Sequence, residues 1–211
     1  MIKKILKNFF KKKGFHSPGY WEKRYAAGGN SGDGSYGRLS EFKAAVINGF
    51  IRENNIQTAL ELGCGDGHQL SLIEYPSYTG MDVSSTVIET CKKKFSADNT
   101  KNFFVYKPAA GLKSMQKADM VLSLDVLYHI VEEGNYLQYL HDLFSNANHF
   151  VMIYSTNFNQ AEAQHIQHRK FTDTVKETFH GWELWKEFKN PYHGTGIQES
   201  LADFFIFRKI N

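Results

Sequence analysis

Residues 57–67 read QTALELGCGDG, a short apolar run that breaks into three alternating glycines. The run predicts a buried strand, and the glycines predict a tight turn opening toward a helix. In such a turn the backbone approaches a ligand closely, and its free N–H groups meet the ligand's polar atoms. The next predicted strand, residues 77–84 (SYTGMDVS), carries Asp82, 17 residues beyond Gly65. An acid at that place accepts both hydroxyls of a ribose. The glycine spacing is G-x-G-x-G, and His68 stands where a dinucleotide fingerprint needs Gly or Ala. Asp66 inside the turn would also repel a pyrophosphate. A nucleoside with a cationic centre suits these residues better than a nicotinamide dinucleotide does.

Outward from this loop, strands and helices alternate. Strands are predicted at 102–108, 118–125 and 149–157, with helices at 85–95, 135–147 and 168–179. HQLSLIEY, residues 68–75, reads as the start of a further helix. Before the loop, Ser40 is placed to cap a helix with an apolar face of Ala44, Ala45, Ile47, Phe50 and Ile51. Such alternation builds an α/β, doubly wound, mostly parallel sheet. The last two strands, 181–189 and 201–209, have only a loop between them and should pair antiparallel. The reading divides the chain into an extension, 1–40, and a main domain, 41–211.

Taken together, ELGCGDG, GMDVS, DMVLSLDVLYHI and the paired strands WELWKEF and ADFFIFRK resemble the class I S-adenosylmethionine-dependent methyltransferases. The resemblance covers about residues 57–210 and implies a Rossmann-like seven-stranded sheet with an antiparallel final strand. It further implies S-adenosylmethionine as cofactor. Gly63, Cys64 and Gly65 would pass its methionine part, Asp82 would hold the ribose, and Val83 would border the adenine near Pro108 and Ala109. Leu124 and Asp125 would meet the cofactor at the end of the fourth strand. Asp66 would bind the amino group, directly or through water. The DPPY-type motif of amino-group enzymes is replaced by DVLY, which disfavours a base-modifying enzyme.

Residues 20–38 resemble the lid extensions of this fold, with YWEKRY followed by the glycine-rich GGNSGDGSYGR. In that reading Arg38 pairs with the methionine carboxylate, Tyr25 and Trp21 shield the sulfonium, and Tyr20 faces the substrate. This stretch and HIQHRKFTD (165–173) are also similar to small bacterial methyltransferases of surface-polysaccharide modification. Methyl transfer to a hydroxyl needs a base, and His suits that role near neutral pH. His129, at the carboxyl edge of the sheet, is one candidate, with Tyr128 beside it expected to bind the substrate. His165 and His168, which share a face if helical, are the others, with Arg169 or Lys170 to hold an anion. Opposed to these roles stand a locally packed His129 and a solvated polar turn at 165–170. The histidine pair is at most half a metal site, so no metal is expected.

The charge is +3, from 25 basic and 22 acidic residues. Residues 1–13 hold six lysines and no acid, which leaves 19 basic against 22 acidic residues in the remainder. The body is therefore mildly acidic, which argues against a dedicated nucleic-acid binder. The Lys-rich segment has Ile2, Ile5, Leu6, Phe9 and Phe10 at helical spacing. It reads as a solvated extension, a peripheral contact with the inner face of the membrane, or a site for nucleic acid or an acidic partner. Two cysteines exclude a disulfide framework, and no apolar run is long enough to span a bilayer. The expectation is a cytoplasmic methyltransferase acting on a hydroxyl of a sugar or another small polar metabolite. Its rivals are a nucleic-acid methyltransferase and a catalytically silent cofactor-binding subunit.

Overall fold

The computed structural model describes residues 15–112 and 117–210, so the basic segment 1–13 lies outside the described residues. A seven-stranded sheet forms the centre. Its strands are β1 (Thr58–Leu62), β2 (Ser77–Asp82), β3 (Lys101–Val105), β4 (Ala118–Leu124), β5 (Ala147–Ser155), β8 (Trp182–Phe188) and β9 (Asp203–Lys209). Their order is β3-β2-β1-β4-β5-β9-β8. Strands β1 to β5 are parallel, and β9 runs antiparallel between β5 and β8. The apolar runs noted above are these strands, and both faces of the central ones are covered, as a parallel sheet requires. The chain reverses its winding between β1 and β4, the place where open α/β sheets form a ligand crevice.

Five helices are described: α1 (Ser17–Ala26), α2 (Gly37–Glu53), α3 (Ser85–Lys94), α4 (Glu133–Ser145) and α5 (Phe171–Thr178). One core layer packs Ala44, Ile47, Phe50 and Ile51 of α2 and Ile88 of α3 on the sheet. The other packs Tyr136, Leu140 and Leu143 of α4 and Val175 of α5 on the opposite face. Helix α3 begins where Ser84 Oγ accepts the N–H of Val87 at 3.2 Å, an N-cap two residues beyond Asp82.

Three local expectations differ from the structure. Ser40 does not cap α2, which begins three residues earlier; its hydroxyl donates back to Gly37 O at 2.8 Å. The expected boundary at 40/41 thus falls inside α2. Residues 68–75 form only a 3₁₀ turn, Gln69–Leu72, because Pro76 drives Tyr75 and its neighbours toward extended backbone. The segment around His165 and His168 is not helical. It is a hairpin of β6 (Gln160–Ala163) and β7 (Ile166–His168), and α5 starts only at Phe171. Among the described residues no helix is long and apolar enough to cross a membrane.

Candidate active site

A pocket with about 920 Å³ of empty space, its open mouth included, lies at the carboxyl edge of the sheet. The glycine loop forms its floor. Gly63 and Cys64 donate their N–H groups to Met81 O at 2.6 and 3.0 Å, which ties the loop to the end of β2. Gly63 has φ +88°, and a side chain there would overlap Val126. Gly65 has φ +56°, and a side chain there would overlap the Ser31 hydroxyl. Only glycine combines these backbone angles with such close cover.

Asp82 is locked at the end of β2. Its Oδ2 accepts Gly65 N at 3.1 Å and its Oδ1 accepts Ser84 N at 2.9 Å. Each oxygen keeps a lone pair for a sugar hydroxyl. Burial pushes its pKa up to about 6 despite those bonds. Glu61, near the end of β1, accepts the Tyr78 hydroxyl at 2.6 Å. Burial pushes its pKa up to about 7. Asp125 follows β4 with φ +59° and accepts Lys43 Nζ at 2.6 Å and the Tyr128 hydroxyl at 2.8 Å. Lys43, on the buried face of α2, is 1% exposed. Val83, Tyr106, Pro108, Leu124, Asn135 and Tyr139 complete the lining toward α4, while Ala109 stays outside it.

Helix α1 lines the mouth of the pocket with Ser17, Pro18, Trp21 and Tyr25 and is fastened at two points. At one end Ser17 donates its N–H and hydroxyl to the Glu132 carboxylate at 2.7 and 2.6 Å. Midway along the helix, Thr86 Oγ1 donates to Glu22 at 2.5 Å. The following glycine-rich loop docks on Asp66, which accepts Ser31 N at 2.8 Å, the Tyr36 hydroxyl at 2.7 Å and His68 N at 3.0 Å. Burial opposes the charge on Asp66, but those bonds outweigh it and hold its pKa below the usual carboxylate value. Asp66 lines the pocket, yet its oxygens are engaged in holding the lid rather than free for an amino group. Trp21 and Tyr25 face the pocket; Tyr20 instead stacks on His165, with ring centroids 5.1 Å apart.

The histidines separate sharply. His129 lines the pocket with Trp21 edge-on at 5.0 Å, and its Nδ1 lies 3.3 Å from His165 O. A carbonyl only accepts, so Nδ1 carries the proton and Nε2 keeps its lone pair. Burial lowers the His129 pKa to about 4, so the ring is neutral at pH 7. His165 does not line the pocket; its ring is parallel to that of His129 at 6.0 Å. His168 is buried with both nitrogens engaged, to Thr156 Oγ1 at 2.7 Å and Glu162 Oε2 at 2.9 Å. That makes it a clasp for the hairpin, and the expected role as a base does not match its placement.

Arg38 and Arg169 are likewise committed elsewhere. Arg38 donates to Gln198 O at 2.7 Å, lies 3.8 Å from Glu199 and covers the Tyr192 ring. Arg169 binds Ile130 O at 2.7 Å and Glu133 at 3.2 Å, over the Tyr136 ring. Lys170 pairs with Asp173 at 3.0 Å. Tyr128 serves Asp125 and is not a lining residue. Lys43, Glu61, Gln69, Tyr106 and Asn135 line the pocket without having been singled out for it. For Lys43 and Glu61 the signal was present, a charge within an otherwise buried apolar pattern. Among the described residues no group of three or more His, Cys, Asp or Glu is placed to hold a metal ion.

Residues 60–149, from β1 to the start of β5, match the family model of a methyltransferase domain. No curated protein matches the sequence. Among solved structures, magnesium protoporphyrin IX methyltransferase from Synechocystis PCC 6803, with bound S-adenosylmethionine, is 14% identical and has a TM-score of 0.67. That likeness covers 93% of this chain and 99% of the other. The N-methyltransferase NodS from Bradyrhizobium japonicum WM9 is 11% identical over 82% of this chain and 96% of its own, with a TM-score of 0.66. The methyltransferase domain of bacterial CtHen1 is 17% identical over 82% of this chain and 100% of its own, with a TM-score of 0.65. These structures share the fold, that of the class I methyltransferases. The chain therefore carries a methyltransferase domain over residues 60–149, on the fold that these structures share.

The pocket fits S-adenosylmethionine. Carboxylates dominate its lining, with Glu61, Asp82 and Asp125, besides the lid-bound Asp66, against the single cation Lys43. Such a set suits a ligand bearing ribose hydroxyls, an ammonium and a sulfonium. Gln69 Oε1 is buried there without a hydrogen-bond partner among the described residues, a vacancy for a donor from the ligand.

Proposed function

We propose that the enzyme methylates a hydroxyl of a sugar or another small polar acceptor, with His129 removing the proton. When bound, the cofactor supplies an electrophilic methyl group on its sulfonium. The observation that carries the reading is the placement of His129. It lines the cofactor pocket, its Nδ1–H is spent on His165 O, and its Nε2 is left as an acceptor. A base with a pKa of about 4 is weak, but it is free of protons across the neutral range. Weakness is no obstacle here. As the acceptor oxygen gains the methyl, its O–H becomes strongly acidic, and a nearby neutral imidazole suffices to take the proton. Trp21 and Tyr25 on the lid exclude water during the step. The likeness of YWEKRY, GGNSGDGSYGR and HIQHRKFTD to polysaccharide-modifying methyltransferases supports a glycan or glycan precursor as acceptor.

The test has two stages. Methyl-labelled cofactor and fractionated extract should yield label in a sugar-containing product; label in RNA would overturn the acceptor class. On that acceptor, His129→Ala should lower turnover by about 10²- to 10⁴-fold and leave S-adenosylhomocysteine affinity within about 2-fold. The wild-type rate should be flat from about pH 6 to 8 and fall only as pH drops toward 4, where His129 protonates. Near wild-type turnover in the variant removes His129 as the base.

A further inference from the structure

The hairpin of β6 and β7 stands apart from the main sheet. A lone two-stranded hairpin has little stability of its own, so other groups must hold it in place. His168, at the end of β7 and 5% exposed, is tied on both sides of its ring. Thr156, just beyond β5, takes one nitrogen at 2.7 Å, and the half-exposed Glu162 of β6 takes the other at 2.9 Å. At the foot of the hairpin Asn159 Oδ1 accepts Lys170 N at 2.9 Å.

Arg169, the next residue after the clasp, crosses to the segment that follows His129. It donates to Ile130 O at 2.7 Å, to Val131 O at 3.2 Å and to Glu133 at 3.2 Å. The planar fork of a guanidinium suits such a bridge over two successive carbonyls. The 3₁₀ turn Leu127–His129 is thereby bound to the hairpin at two places: by Arg169 just beyond it, and by His165 O at His129 Nδ1, 3.3 Å away. Gln164 and His165 form the turn of the hairpin, between the paired Ala163 and Ile166. The position of the His165 carbonyl therefore follows that of both strands. Among the described residues this carbonyl is the one hydrogen-bond partner of the His129 ring. In a neutral imidazole the partner of one nitrogen decides which nitrogen carries the proton.

We propose that Arg169, His168 and Glu162 are positioning residues: by holding the hairpin against the turn that carries His129, they keep the His165 carbonyl on Nδ1 and so present Nε2 to the acceptor. The proposal rests on the reading of His129 as the base. None of the three lines the pocket, so each acts through His129 alone.

Nitrogen NMR of the histidine rings in the full chain tests it without an acceptor, the His129 signal being assigned by its loss in His129→Gln. The wild-type ring should carry its proton on Nδ1. Arg169→Ala and Glu162→Ala should each mix the two tautomers and admit water to the ring. Its titration should then rise from about 4 toward the ordinary 6.5. Asp125, Arg24 and His165 face the ring and are present in both variants. The two variants remove charges of opposite sign, so a rise in both is not a charge effect. With the acceptor, turnover should fall about 10- to 100-fold, the usual worth of a group that orients a histidine from behind. Acceptor KM and S-adenosylhomocysteine affinity should stay within about 2-fold of wild type. Glu162→Gln keeps an acceptor for His168 Nε2–H and should return His129 to a single tautomer. Should Arg169→Ala fail to fold, Glu162→Ala carries the test from its half-exposed position. Folded variants that keep the wild-type tautomer and titration overturn the proposal. So does a wild-type ring protonated on Nε2. A disturbed tautomer with undiminished turnover leaves the positioning standing and strikes His129 as the base.

Discussion

Glu61 stands two residues before the first glycine of the loop, wholly buried, and is held near pKa 7 by burial. A carboxyl with a raised folded-state pKa favours folding while it is protonated. That contribution is present below the unfolded value of about 4.5 and is lost as pH rises through about 7. Glu61→Gln keeps an acceptor for the Tyr78 hydroxyl and cannot ionise. The ligand-free variant should therefore melt close to wild type at about pH 5 and several degrees above it at about pH 8. The ceiling on the gap is about 3 kcal/mol. A melting difference that does not widen between those two pH values shows that Glu61 is not held near 7. At this scale the sequence was legible where backbone geometry dictates the residue, as at Gly63 and Gly65, or where a strand end places it, as at Asp82. Arg38 and His168 were not legible. Their chemistry suited a site, but packing gave Arg38 to the 190–200 loop and His168 to Thr156 and Glu162. Spacing along the chain carries no information about which long-range partner reaches a side chain first.

Helix α1 is held by few bonds relative to its task. Its face toward the sheet is small, with only Ser17 and Tyr25 buried, so the contacts at Glu132 and Thr86 set how long it stays down. Glu22→Gln weakens the charged bond to the first turn of α3, where a carboxylate is favoured by the helix terminus. The variant should release S-adenosylhomocysteine about 3- to 10-fold faster and exchange amides in 17–36 more quickly, while global stability falls by no more than about 1 kcal/mol. An unchanged release rate in stopped flow would mean that α1 does not control exit. Among the elements, strands were read well because apolar runs bounded by Gly, Pro or Asp leave few alternatives. The hairpin β6–β7 escaped because its residues, Gln160–His168, have neither an apolar alternation nor a turn dipeptide. Its tertiary clasp by His168 decides the conformation instead.

For the whole molecule, the parallel sheet follows from the alternation of elements and the antiparallel pair from the missing helix between the last two strands, and both were visible in the sequence; the strand order was not. The charge distribution is a separate matter. The described body carries the cofactor pocket, and the six lysines of residues 1–13 lie outside it. Deleting residues 1–13 should leave S-adenosylhomocysteine affinity within about 2-fold; under the membrane reading of that segment, it should also abolish salt-sensitive retention on anionic vesicles, where each lysine would add about 1 kcal/mol. Equal retention of the full chain and the truncated protein would rule out membrane contact among the three readings of that segment. The lid has one more consequence. Of the three tryptophans, Trp182 and Trp185 belong to β8 at the far edge of the sheet, and Trp21 alone covers the pocket with its edge against His129. Intrinsic fluorescence therefore splits into a constant background from β8 and one emitter that responds to ligand entry. The molecule carries its own optical reporter, and Trp182 with Trp185 provides the internal standard against which that signal is read.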